Sequence, residues 1–181
     1  MVVTLLQLFT SSFAAYAFAK MQFKGKNALF LGYIATIAVP WQAYMVPQFM
    51  MMSSWHLNNT HLAIMYLQAF SAFGVFLMKQ FYEGVPTELC EAARIDGLSE
   101  YGIWWHIMLP LSLPALSTLT IFTFVNTWND FLGPLIYLTK TELKTIQIGL
   151  RMFITQYSAE YGLIMAVSYT HLRAHETELH L

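Results

Sequence analysis

The chain has 181 residues, of which 57% are hydrophobic and 10% charged, with a mean hydropathy of +0.50. Soluble domains carry roughly 25% charged residues, so this composition marks a membrane protein whose partners are lipid and protein. A formal net charge of −1 supplies no basic stripe for phosphates and excludes nucleic acid as a partner, and one cysteine, Cys90, excludes an internal disulfide.

The first apolar run, 2–19, is long enough to cross the roughly 30 Å hydrocarbon layer. It lacks the basic leader and cleavage-like end of a signal peptide. Ser11, Ser12, Ala14, Ala15 and Ala17 give it a small-residue face suited to close helix packing in lipid. Lys20, Lys24 and Lys26 follow, and the positive-inside rule makes that loop cytoplasmic, which leaves the N-terminus outside. A second span is expected over 28–48. Pro40 and Pro47 remove backbone donors in its outer half, which predicts a kinked end that lines a cavity. The interval 49–61 holds no Lys or Arg and reads as an external loop. A third span, 62–78, ends at Lys79 on the cytoplasmic side.

The segment 84–114, GVPTELCEAARIDGLSEYGIWWHIMLPLSLP, is the long polar interval of the chain and carries Glu88, Glu91, Asp96, Glu100 and Arg94. Pro86 suits a first helical position, Glu88 and Glu91 complement the positive end of the helix dipole, and Gly97 suits a left-handed stop. Ser99 is an N-cap, Leu98 can staple onto Ile103, and Pro110 and Pro114 forbid uninterrupted continuation. The expected unit is helix, glycine elbow, helix. Cys90 has no evident chemical role in it.

A fourth span is expected over 113–131. Asn126, Trp128, Asn129 and Asp130 stand near its outer end, where amides and a carboxylate are costly unless they pair or meet water. Two readings stay open: Asn129 and Asp130 cap the helix before Gly133-Pro134 with Trp128 as interfacial anchor, or the group lines a pathway. Residues 132–160 read as a mixed external segment, and a last span starting near 161 fails after 167. No glycine-rich phosphate loop, H-E-x-x-H or G-x-S-x-G occurs, so no catalytic site, cofactor or metal is expected. His56, His61 and His106 are scattered.

Glu91-Ala92-Ala93, three residues, Gly97, nine residues, then Ile107-Met108-Leu109-Pro110 resembles, spacing included, the EAA loop of the membrane subunits of binding-protein-dependent ABC importers. The stretch 122–138, FTFVNTWNDFLGPLIYL, is similar to that of sugar-importer permeases, especially the smaller subunit of maltose-type systems. The resemblance implies an all-α transmembrane helix bundle with a cytoplasmic coupling-helix elbow, in the bacterial inner membrane. It also implies as partners a cytoplasmic ATPase dimer, a second homologous permease subunit and an extracytoplasmic solute-binding protein. Coupling would then fall to Glu91, Ala92, Ala93, Asp96, Gly97, Ile107, Leu109 and Pro110, with Ala92 and Ala93 allowing close approach of the ATPase. Members of that family begin with a cytoplasmic N-terminus and one further span, so 1–167 is expected to be a partial transmembrane domain. His171 and His175 have metal-ligand spacing near Glu178 and His180. The family continues there as apolar span, so 168–181 reads as a foreign tail instead. An importer for another solute, such as an amino acid, and a helical membrane protein without transport function remain the alternatives.

Overall fold

The computed structural model describes residues 1–156, the last four by backbone alone. The expected last span and the tail 168–181 lie outside the described residues. Within them every regular element is helical. In chain order these are α1 (Val2–Lys20), α2 (Lys26–Ala35, prolonged by a 3-10 turn Thr36–Ala38), α3 (Trp41–Ser54), α4 (His61–Gln68) and α5 (Ala72–Gly84). There follow α6 (Thr87–Ile95), α7 (Glu100–Ile103), a π-turn at Trp104–Met108, α8 (Leu109–Leu111), α9 (Leu113–Asn129), α10 (Leu132–Tyr137) and α11 (Ile146–Gln156).

Only α1 is long and apolar enough, among the described residues, to cross a bilayer unbroken. Three bent pairs reach that length together: Lys26–Ala38 with Trp41–Ser54 at 101°, His61–Gln68 with Ala72–Gly84 at 41°, and Glu100–Leu111 with Leu113–Asn129 at 80°. Each break has a local cause. Pro40 cannot donate to the preceding turn and starts α3 at φ −63, ψ 137. Ser71 is extended and its hydroxyl accepts from Gly74 N at 3.0 Å, so α5 begins on its own cap. Pro110 and Pro114 flank Ser112, where the chain turns into α9. The interval 28–48 is therefore two helices at a sharp angle, and the expected external loop 49–61 is helical as far as Ser54.

The small-residue face of α1 packs on α5. Ser11, Ser12 and Ala15 are fully buried, and a Cβ on Gly74 of α5 would come within 2.5 Å of Ser11 Oγ. That glycine is what lets the two helices touch. The main core continues through Tyr16, Val75, Met78 and Tyr82 to Cys90 and Ala93 of α6, then to Ile103, Trp104 and Met108 of the return helix and Leu119 of α9. A second cluster, Met52, Ala63 and Tyr137, joins α3, α4 and α10. α2 buries no residue, and Leu29 and Leu31 are 60% and 70% exposed.

The two sequence features singled out above stand at opposite ends of α1. Lys20, its last residue, donates from Nζ to Val85 O at 2.5 Å beside the elbow, whereas Thr4 shares a cavity with Trp128. At 1.5 Å per residue the 16 positions from Thr4 to Lys20 separate them by about 24 Å, most of the roughly 30 Å hydrocarbon thickness.

Candidate functional site: a glycine elbow at one end and a polar cavity at the other

α6 starts after Pro86, which takes the N-cap position (φ −55, ψ 134) and not the first helical one. The helix stops at Gly97, φ +85. Leu98 N donates to Ala93 O (3.0 Å) and Gly97 N to Arg94 O (3.1 Å), the two bonds of a Schellman stop, which demands the left-handed residue that glycine supplies at no cost. Two residues on, Ser99 Oγ accepts from Gly102 N at 3.2 Å and opens the return helix. The methyl end of Leu98 lies over Gly102.

The elbow is tied to the bundle by one carboxylate. Glu100 Oε1 accepts from Arg94 Nε (2.6 Å), and Oε2 accepts from Arg94 Nη2 (3.2 Å) and from Tyr16 OH of α1 (2.5 Å). Arg94 therefore bridges the glycine turn to Glu100, and Tyr16 carries the same group to the first helix. The Arg94 guanidinium, with the Tyr16 hydroxyl second, holds the Glu100 carboxyl below the ordinary carboxylate range, and the Arg94 pKa rises in turn. Burial pushes the Cys90 thiol up, and it donates to Met108 Sδ at 3.8 Å. Its role is packing.

The residues expected to couple divide by face. Glu91, Ala92, Asp96 and Gly97 are exposed, and Ile95 beside them is 86% exposed. Ala93 is 3% exposed: it stands three residues after buried Cys90, on the helix face turned into the bundle. The expectation that Ala92 and Ala93 face a partner together is corrected accordingly; Ala93 lets α6 lie close on its own core. Ile107 and Leu109 are half-buried against that core, and Pro110 is exposed. They form the seat under the elbow. The π-turn at Trp104–Met108 precedes Pro110, so the missing proline donor falls where the ladder is already widened.

At the other end Asp130 follows α9 and caps the next helix: Oδ1 accepts from Gly133 N at 3.1 Å. Its Oδ2 accepts from Gln68 Nε2 of α4 at 2.6 Å. The carboxylate thus caps α10 and joins two helices. Gly133 leaves it room, since a Cβ there would meet Oδ2 at 2.6 Å. Asn126, one turn earlier, is exposed and lines a cavity of about 470 Å³ with Gln7, Gln68, Thr123 and Asp130. Trp128 and Asn129 do not line that cavity. Trp128 stacks on Phe124 (centroids 5.7 Å apart) and lines a cavity with Thr4 and Gln147, and exposed Asn129 Oδ1 accepts from Gln147 Nε2 at 3.4 Å.

Sequence reasoning missed Tyr16, Gln68 and Asn59. Asn59, φ +59, accepts at Oδ1 from Thr139 N (2.7 Å), Thr139 Oγ1 (2.6 Å) and Lys140 N (3.2 Å), pinning the α3–α4 loop to the segment after α10. The signal for Gln68 was present: an amide inside an apolar run needs a partner.

The chain matches the family described as "Binding-protein-dependent transport system inner membrane component" over residues 7–172. It is 39% identical to the arabinooligosaccharides transport system permease protein AraQ of Halalkalibacterium halodurans, covering 92% of this chain and 60% of that one. It is 37% identical to the lactose transport system permease protein LacG of Rhizobium radiobacter, over 91% of this chain and 60% of that one. Its fold is similar to a solved bacterial ABC transporter involved in import of the acidic polysaccharide alginate, with TM-score 0.77 and 26% identity over 92% of this chain and 60% of that one. The chain thus spans about 60% of the length of these relatives. With an all-helical bundle, a glycine elbow at one end and this match over nearly its whole length, the chain belongs to the family of binding-protein-dependent transport system inner membrane components.

Proposed function

We propose that this chain is the transmembrane subunit of an ATP-driven sugar importer and forms half of its translocation pathway. It crosses the plasma (inner) membrane several times and pairs with a second, homologous permease subunit. A cytoplasmic ATPase dimer grips the elbow at the Lys20 end, and an extracytoplasmic solute-binding protein delivers solute at the Asp130 end. The sugar class follows from the relatives named for arabinooligosaccharides and lactose.

The observation that carries the reading is the elbow. Its exposed side offers Glu91, Ala92, Ile95 and Asp96, while Cys90 and Ala93 and the Arg94–Glu100–Tyr16 chain fasten the other side to the bundle. A segment so fastened moves as one body with α1 and the return helix. ATP-driven closure of the ATPase then shifts the bundle between inward-facing and outward-facing arrangements, because the elbow contacts its partner differently in the two states. Co-purification with the ATPase tests this directly. The wild-type permease should retain it, and Glu91→Lys, which reverses the charge offered to the partner, should lose at least about tenfold in affinity. Indifference to Glu91→Lys would remove the elbow from the interface.

A further inference from the structure

Next to the Asn126 cavity lies a second one of about 260 Å³, near the lower end, roughly 300 Å³, of small-molecule sites. Trp41, Tyr44 and Tyr137 supply aromatic wall, and Gln48, Gln68 and Asp130 supply polar groups. The two cavities share Gln68 and Asp130. The wall is fixed in place: Trp41 Nε1 donates to Gln48 Oε1 at 2.8 Å, and Tyr137 OH donates to the same oxygen at 3.4 Å. Gln68 is oriented by the carboxylate that takes its NH₂, which turns its carbonyl oxygen away, and that oxygen is buried without a hydrogen-bond partner. That oxygen is closed to solvent, so the acceptors lining the cavity are the Asp130 carboxylate and the Gln48 amide oxygen, which favour a ligand that brings hydroxyl donors.

Among the described residues no cation lines either cavity; Arg151 has its guanidinium over the Phe131 ring, outside both linings. A carboxylate without a base beside it repels carboxylates and phosphates, and hydroxyl donors over aromatic rings are what a neutral sugar presents. We propose that Trp41, Gln48, Gln68 and Asp130 form a saccharide subsite at the outer end of this subunit, selective for neutral sugars over acidic ones. The proposal rests on the sugar-importer reading and narrows it: the similar solved transporter is involved in importing an acidic polysaccharide, and this pair of cavities is built for the uncharged kind.

The test uses the assembled transporter in nanodiscs. Trp41 emission, identified by its loss in Trp41→Phe, is followed during titration with arabinobiose, lactose, maltose and digalacturonate. ATP-dependent uptake of the same sugars is measured in parallel. At least one neutral disaccharide should give a saturable change at a concentration tenfold or more below that needed for digalacturonate. Gln68→Met should weaken it at least tenfold, and Asp130→Asn, which keeps a cap for α10, should narrow the gap between neutral and acidic sugars. Digalacturonate binding as tightly as the best neutral sugar would overturn the proposal. So would a Trp41 signal silent to a sugar that is imported, and in that case the importer reading would stand. Uptake of no carbohydrate at all would sink both.

Discussion

Glu100 receives three donors, two from Arg94 and one from Tyr16, although its side chain is 39% exposed. An ion pair so near water contributes little by itself, about 0.5 kcal/mol, and its value lies in fixing geometry. Its pH dependence has a definite sign. The folded carboxyl titrates below its ordinary value of 4.5, so its contribution is complete above that pH and disappears as pH falls through the lowered folded value. Thermal melts of wild type and Glu100→Gln should differ by a constant small amount at neutral pH and converge in acid. A gap that widened in acid would contradict the assignment. Asn59→Ala removes three exposed hydrogen bonds, whose donors turn to water, and should cost about 1 kcal/mol, read as faster proteolysis in the loop before α4. These pairings were hidden in the sequence for separate reasons. Arg94 and Glu100 are six apart, a spacing no single helix brings together, and meet only because Gly97 reverses the chain. Tyr16 and Glu100 are 84 positions apart.

Elements were more legible than pairings. The apolar run of α1, the left-handed stop at Gly97 and the Ser99 cap all follow from composition, small residues and turn chemistry, and the structure has each of them. The Pro40 and Ser112 breaks were announced by proline, but their angles, 101° and 80°, were not. The 41° break between α4 and α5 contains no proline and rests on Ser71 capping α5, so a span drawn as one interval conceals it. The closeness of α1 and α5 depends on one missing methyl group. Gly74→Ala places a Cβ 2.5 Å from Ser11 Oγ and should destabilise the bundle by about 1–3 kcal/mol, with Ser11→Gly restoring most of the loss. A melt of the single variant equal to wild type would show that the helices part at no cost.

Across the whole molecule, the elbow lies beside Lys20 and the Gln68–Asp130 cavity reaches α1 at Gln7, 13 residues or about 20 Å away along the helix. The proposed coupling uses this separation: one end answers the ATPase and the other handles solute. It also makes a topological prediction. Cysteines placed at exposed Lys24 and Glu142 should label from opposite sides of the membrane, Lys24 from the cytoplasm, and buried Cys90 should stay silent in both variants. Labelling of both from one side would overturn the arrangement. The most direct test of coupling is ATP-dependent sugar uptake by proteoliposomes holding the assembled transporter with the Glu91→Lys, Gly97→Val double substitution. Valine at φ +85 costs at least about 1 kcal/mol, and the reversed charge falls on the face proposed to meet the ATPase, yet both changes lie on the exposed elbow away from the core. The account predicts normal insertion and pairing with the second permease, weakened ATPase binding and loss of uptake. Normal uptake by that double variant would contradict it.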